Sequence, residues 1–365
     1  MGACPDDDEV AAALLAGLPG IGPARLARLL EGPPPGAVLA SLVERRPIVG
    51  HEPGLVQRWR DALDRVDPGD IREALEAGPY RVAWRGAQRY PRRLHGDPEP
   101  PGVLFFAGRE LGEGPRVAIV GTRRCTRYGL DVARELGRSL SVAGVSVVSG
   151  LARGIDAAAH AGSLDVGGTA PVAVVGSGVD TVYPTSNREL WARVASAGTI
   201  VSESPLGATP KRWRFPARNR LIAGLADAVV VVESRERGGS MSTVEAALRR
   251  GVDVFAVPGP VRSAASAGTN RLIADGAAPL CDVGDVLLAI GLDPVRHASL
   301  AASSRAPAGD EKAVLDAVGW APVTVDMVAR AAQIDLEDAA VIVERLVVTG
   351  RLTRTGQWIE QVAGP

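Results

Sequence analysis

Between Pro210 and Arg220 the chain reads Pro-Lys-Arg-Trp-Arg-Phe-Pro-Ala-Arg-Asn-Arg. Lys211, Arg212, Arg214, Arg218 and Arg220 are cationic, Trp213 and Phe215 are aromatic, and Asn219 adds an amide; no acid occurs between Glu203 and Arg220. The chemistry on offer is charge pairing and stacking rather than bond making. A single-stranded nucleic acid needs a cationic track for its phosphates and flat groups for its bases, each stacked base contributing roughly 1–3 kcal/mol. Proline is expected to hold the first half of the segment extended, so that side chains project both ways. The same residues read equally well as a solvated loop whose Trp213 and Phe215 plug a core.

Four glycine-bearing segments point the same way: Gly121-Thr122-Arg123-Arg124, Ser149-Gly150-Leu151-Ala152-Arg153-Gly154, Gly176-Ser177-Gly178 and Gly238-Gly239-Ser240. Each stands between a β-branched run and a helical stretch. Glycine lets a backbone approach an anion closely, and the following helix offers free amides with a favourable dipole. One such loop is ordinary; four, two of them carrying arginine, mark a phosphate-binding edge. Near the N-terminus, Leu18-Pro19-Gly20-Ile21-Gly22-Pro23 followed by amphipathic Ala24–Leu30 resembles a helix-hairpin-helix, whose amides can hold a phosphate, and is also the spelling of a plain helix–helix turn.

Nucleotide-dependent chemistry finds less support. A P-loop needs Gly-x4-Gly-Lys-Ser/Thr, but the only lysines, Lys211 and Lys312, follow Pro210 and Glu311. A dinucleotide fingerprint fails at Gly176-Ser177-Gly178, where Thr181 occupies the third glycine's position. His51, His95, His160 and His297 show no paired-ligand spacing, and Cys4, Cys125 and Cys281 are scattered, so neither a metal site nor a disulfide framework is expected. Asp156 and His160, four apart on one helical face, are expected to make a structural contact rather than an acid–base pair. No catalytic residue and no cofactor are assigned. With a net charge of −1, an anionic partner must be held by a local patch.

These loops require a scaffold. Nearly continuous apolar runs at Arg116–Val120, Val145–Ser149, Val172–Val175, Thr199–Ser202, Ala228–Glu233 and Val254–Val257 alternate with helical stretches. That is the pattern of a parallel sheet covered on both faces: an α/β doubly wound, Rossmann-like fold over about 110–292. Residues 1–79 are Ala/Leu-rich and helical, and 80–108 lead into the sheet, so the main domain is drawn at 80–297. Residues 298–309 read as a linker, and 310–365 as a winged helix with a hairpin at 351–360. Residues 310–360 carry nine acids against five bases, and the would-be recognition helix, Leu336–Leu346, holds Glu337, Asp338 and Glu344 beside Arg345. Phosphates would be repelled, so a protein contact is expected there. An acidic N-terminus, unclustered cysteines and the absence of long apolar runs lead to an expectation of a cytoplasmic protein with no membrane span.

The motifs together resemble the DNA-processing protein A (DprA/Smf) family. The matching residues run from Tyr90-Pro91, Leu94, Asp97-Pro98 and Gly108 through Ala118–Arg123, Tyr128-Gly129 and Val148–Asp156 with Ala159-His160. They continue through Gly176–Asp180, Tyr183-Pro184, Asn187, Leu190, Ser202-Glu203, Phe215–Arg220, Ile222–Leu225 and Val257-Pro258-Gly259. The resemblance implies an extended Rossmann fold, an N-terminal SAM/helix-hairpin-helix-like domain and a homodimer. It also implies a protein that binds and protects single-stranded DNA and helps load the RecA-type recombinase in natural transformation, without catalysis. On this resemblance the DNA pocket is Gly121, Thr122, Arg123, the loop from Tyr183 to Asn187, Phe215, Arg218 and Asn219; Arg188, Lys211, Arg212, Arg220, Gly239 and Ser240 join the expected DNA-binding residues from the basic segment and the glycine loops, and a dimer contact is expected at Leu272 and Ile273. The family's frequent lysine after Tyr-Pro is replaced by Thr185-Ser186, with Lys211 or Arg212 as the expected substitute. An alternative is a nucleoside-monophosphate N-glycosidase of the same Rossmann type, because Gly238-Gly239 and Glu245 match that family's loop although its later glycine is missing. A regulator reading duplex DNA through the winged helix is a third.

Overall fold

The computed structural model describes residues 5–293, 309–319, 322–348 and 351–361. Cys4, His297 and all of the expected linker except Gly309 lie outside the described residues. The chain opens with helices α1 (Asp7–Ala16), α2 (Gly22–Leu29), α3 (Pro35–Val43), α4 (Pro53–Leu63) and α5 (Pro68–Glu76). Their starts are set locally. Asp6 accepts from the Glu9 amide at 2.7 Å while Glu9 accepts from the Asp6 amide at 3.2 Å, a reciprocal cap. Proline stands in the first turn of α2, α3, α4 and α5, where its missing N–H costs nothing.

A nine-stranded sheet follows: β1 (Tyr80–Trp84), β2 (Val103–Gly108), β3 (Arg116–Val120), β4 (Ser146–Ser149), β5 (Val172–Val174), β6 (Thr199–Ser202), β7 (Ala228–Val231), β8 (Asp253–Ala256) and β9 (Ala278–Pro279). Its order is β1-β2-β6-β5-β4-β3-β7-β8-β9. The run from β6 to β9 is parallel, whereas β1–β2 and β2–β6 pair antiparallel. Residues 80–108 therefore extend the sheet itself rather than merely leading into it. Between strands lie α6 (Arg127–Val142), α7 (Ile155–Asp165), α8 (Arg188–Ala197), α9 (Arg214–Gly224), α10 (Met241–Leu248) and α11 (Ala267–Ala274), and α12 (Val283–Ala289) follows β9.

The period-2 geometry of a strand sorts β3 onto two faces. Val117 and Ile119 pack with Leu136 and Leu140 of α6 and Ile155 of α7, while Ala118 and Val120 pack with Leu221 and Ile222 of α9 and Val244 of α10. Both faces are covered, which is why the strand sequences lack alternation. From β3 the chain steps outward through β4, β5 and β6, then returns to β3's other side at β7. The strand order reverses there, and the crevice beyond the carboxyl ends at such a point is where open α/β sheets bind ligands.

The first five helices share a core with this sheet. Leu15, Leu18, Ile21 and Trp59 belong to one apolar cluster with Val82, Phe105, Val175, Val179 and Ile200. Trp59 is fully buried and donates its indole N–H to the Pro19 carbonyl at 3.1 Å, fixing the Leu18–Pro23 turn. One compact unit accordingly runs to Leu292. A buried ion pair closes it: Arg250 donates through Nε and Nη2 to the two carboxylate oxygens of Asp97, each at 2.7 Å. Leu272 and Ile273 are half-buried on α11, Leu272 against the face that holds α9 and α10.

The second unit holds α13 (Asp310–Val318), α14 (Val325–Ala332), α15 (Leu336–Val348), β10 (Leu352–Thr355) and β11 (Trp358–Gln361). Three helices and a hairpin follow in the order that the sequence led us to expect, around Val314, Val328, Ile342, Val343 and Ile359. Two of its bases are spent internally: Arg345 pairs with Glu311 at 2.8 Å and Arg354 with Glu344. No helix among the described residues is long and apolar enough to cross a membrane.

Candidate functional site

The loops that leave β3, β4, β5 and β7 at their carboxyl ends are tied to one another. Glu233, just past β7, is buried; its carbonyl accepts from the Thr122 amide at 2.7 Å. Its carboxylate accepts from Thr126 N at 2.8 Å and Thr126 Oγ1 at 2.6 Å. Thr126 in turn caps α6 by accepting from Gly129 N at 3.1 Å. The β3 loop is thereby held from both ends, and Arg123 projects from it into solvent. Gly154, at φ +81°, allows the β4 loop to touch it: a Cβ there would stand 2.5 Å from the Thr122 carbonyl oxygen.

Arg123, Phe215 and Tyr183 meet at this edge. The Arg123 guanidinium stands 5.2 Å from the centroid of the Phe215 ring, and the Tyr183 ring lies 5.5 Å from Phe215 at an interplanar angle of 37°. The Tyr183–Asn187 loop is anchored to the β4 loop twice. Asn187 donates to the Leu151 carbonyl at 3.0 Å, and Arg153 donates to Ser186 Oγ at 3.0 Å. A cation thus touches the Thr185-Ser186 loop after all, and it is Arg153, not one of the two substitutes expected from sequence. Arg188, Lys211 and Arg212 are exposed, as are Arg123 and Arg153. Trp213, half-exposed, carries the Arg214 guanidinium at 5.3 Å from its ring.

Only the start of the basic segment has the extended form expected of its first half; the chain turns at Arg212-Trp213. It is helical from Arg214 onward, with Pro216 in the first turn, where proline is tolerated. Residues 218 and 220 therefore point to opposite sides of α9, about 200° apart. Arg218 is buried beneath Gly150 and donates to the Val174 carbonyl; a Cβ on Gly150 would fall 1.9 Å from Arg218 Nη1. Its Nε has no hydrogen-bond partner. Burial pushes the Arg218 pKa down to about 10, partly offset by Asp156, so it stays charged at neutral pH. Arg220 turns the other way, donating to Glu203 Oε1 at 2.5 Å and to the Glu99 carbonyl at 2.7 Å. Its guanidinium is held in an ion pair with Glu203. Ser240 is buried, and its hydroxyl donates to Ser234 Oγ at 2.8 Å. Asn219 ties α9 to the start of α10 through the Gly239 carbonyl at 3.2 Å and Ser242 Oγ at 2.7 Å.

Asp156 is buried and accepts from the Gly150 amide at 3.1 Å. Burial raises its pKa, opposed by Arg218 and the amides of Gly150 and Ala152. His160 is fully buried, and neither ring nitrogen makes a hydrogen bond of normal geometry. Burial pushes it down to about 4, so it is neutral at pH 7, and the only group favouring its protonation is the Ser149 backbone. No hydrogen bond joins Asp156 to His160, so the contact expected between them does not form; each is buried beside the β4 loop for its own reasons. Glu245, the acid of the glycosidase-like loop, is exposed on α10. Among the described residues no His, Cys, Asp and Glu cluster could hold a metal ion.

Sequence reading missed Glu233, whose 107-residue separation from Thr126 carries no local signal. It also left Arg153 out of the site, although its glycine loop was in view.

The fold has counterparts among known proteins. A family model described as DNA recombination-mediator protein A matches residues 81–291. Protein Smf of Synechocystis is 35% identical over 288 residues, which is 76% of this chain and 71% of that protein. DNA processing protein DprA of Streptococcus pneumoniae is 40% identical over 199 residues, 54% of this chain and 70% of its own. The solved structure of DNA processing protein A from that organism superposes with a TM-score of 0.66 at 31% identity, covering 79% of this chain and 98% of the other. A structure concerned with the single-stranded DNA binding mode of DNA processing protein A from Helicobacter pylori superposes with a TM-score of 0.51 at 28% identity, covering 58% and 95%.

Proposed function

The chain belongs to the DNA recombination-mediator protein A family, and from that premise we propose that it binds single-stranded DNA along the carboxyl edge of its sheet. The observation that carries this reading is the stack of Arg123, Phe215 and Tyr183, flanked by exposed Arg153, Arg188, Lys211 and Arg212. Rings accept bases whatever their sequence, and the arginines accept phosphates. Behind the β4 loop, Arg218 packs against Gly150, whose amide donates to Asp156. In the cell the protein would protect incoming single strands and help load the RecA-type recombinase during transformation, acting in the cytoplasm as a homodimer without a catalytic step. Half-exposed Leu272 and Ile273 are the dimer contact, and the acidic surface of α15 serves a protein rather than DNA. No observation favours glycosidase chemistry.

The test is the affinity for oligothymidylate as a function of salt. Four or five phosphate contacts give a log–log slope near −3, at roughly −0.7 per contact for a single strand. An affinity independent of salt, or a preference for duplex, overturns the reading.

A further inference from the structure

On the flank of α9 away from Arg123, the Leu18–Pro23 turn and the sheet edge enclose a cavity of about 480 Å³. One wall is the turn itself, whose Gly20 and Gly22 sit at φ +71° and +57°, so that backbone rather than side chain faces the space. The other wall is Lys211, Trp213, Arg214 and Arg218, with Arg25 at the turn's side. The wall is rigid, because Leu18 and Ile21 are packed into the same core as Val175 and Val179, and Trp59 holds Pro19.

Four of the lining residues are cationic, and two of them hold a buried, unused donor: Nε of Arg214 and Nε of Arg218 have no hydrogen-bond partner. Arg218 is 6% exposed, and leaving such a donor unmet in the interior is costly unless something fills the space. The lining also includes one acid, Glu203, but its carboxylate is already engaged by Arg220. Trp213 stands 52% exposed on the same wall, a large ring left in solvent where the core does not need it. A chamber of this size suits a nucleotide.

We propose that this cavity is a second nucleotide subsite: it takes a phosphate of the bound single strand between the Gly20–Gly22 turn and Arg25, Lys211, Arg214 and Arg218, and lays the attached base on Trp213. The inference rests on the proposed single-strand binding and extends it from the sheet edge onto the N-terminal helices. The strand passes over α9, with one base on Phe215 and another on Trp213. The N-terminal helical domain is then part of the DNA track rather than an accessory to the fold.

The experiment uses the full chain and a twenty-residue oligothymidylate. The exposed pair is removed together, Arg25→Ala with Lys211→Ala, and Trp213→Ala is made separately, each checked for native circular dichroism. The double variant is expected to lose the one phosphate held in this cavity, flattening the salt slope by about 0.7. Trp213→Ala is expected to weaken binding about fivefold or more while keeping the slope, the low end of what one stacked base contributes. Arg123→Ala serves as the control for the sheet edge. If it weakens binding while both other changes leave affinity and slope as in the parent, the second subsite is refuted and the sheet-edge site stands. If the parent protein fails to bind the oligonucleotide at all, both fall together.

Discussion

The Arg123 guanidinium stands 5.2 Å over the ring of Phe215, so the charge and the stacking surface share one spot although one comes from the β3 loop and the other from the first turn of α9, 92 positions apart in the chain. The two contributions can be separated by salt. Arg123→Ala should weaken binding of every sequence and lower the slope by about 0.7. Phe215→Ala should weaken binding by roughly 1–3 kcal/mol and leave the slope alone. Fluorescence anisotropy titrations at several salt concentrations check both; equal slopes in all three proteins would place the phosphates elsewhere.

How much of this was legible beforehand depends on distance along the chain. Six parallel strands announce themselves as short apolar runs, because a strand covered on both faces has no polar side to show. Antiparallel β1, with Tyr80, Arg81 and Trp84, and the two-residue β9, which contains Pro279, carry no such run. The basic segment was visible, but its division into a buried Arg218, a paired Arg220 and an exposed Lys211 was not. That division follows from the helix phase set at Arg214, and an extended first half, which is all the prolines suggest, carries no such phase. The contacts that position Arg123 come from Glu233, and nothing near Glu233 in the sequence refers to position 126.

Asp97 and Arg250 are each nearly inaccessible to solvent and meet through two 2.7 Å hydrogen bonds. Removing Asp97 leaves the buried Arg250 charge with only the exposed Glu99 carboxylate, 3.8 Å away. Asp97→Ala should therefore lower the stability of the first unit by about 3–5 kcal/mol. Urea denaturation of the full chain reads this directly, and a loss under 1 kcal/mol would mean that water reaches the Arg250 head group.

His160 sets an acid limit. Its folded pKa of about 4 lies below the unfolded value near 6.5. Between these values the unfolded chain binds a proton that the folded chain does not, so stability is complete above pH 6.5 and falls as pH drops toward 4. The loss approaches about 3 kcal/mol at pH 4 and below. His160→Leu should flatten this part of the profile in denaturation curves taken from pH 7 to pH 4; an unchanged profile would assign the acid sensitivity to other groups.

Truncation after Leu292 removes the second unit, whose Arg345 and Arg354 are already paired with Glu311 and Glu344. Affinity for a single strand should stay within about threefold, less than 1 kcal/mol. Loading of a RecA-type recombinase, followed by strand exchange, is the assay in which the loss should appear. A tenfold drop in affinity of the folded, truncated protein would instead put α15 on the DNA.

Glutamate at Leu272 or Ile273 should yield monomers that keep their fold, because both side chains are only half-buried within the protomer. Sedimentation velocity distinguishes this from a parent protein that is already monomeric, which would remove α11 from consideration.

The sheet order has a bearing on how the molecule is made. A ribosome releases β1 and β2 early, yet β2 pairs with β6, and Asp97 waits for Arg250, 153 positions later. At about 5–20 residues per second, that is roughly 8–30 s of synthesis during which the first helices and the leading hairpin are outside the ribosome without their partners. Chaperone occupancy of the nascent chain should peak in that window and end soon after Arg250 clears the exit tunnel.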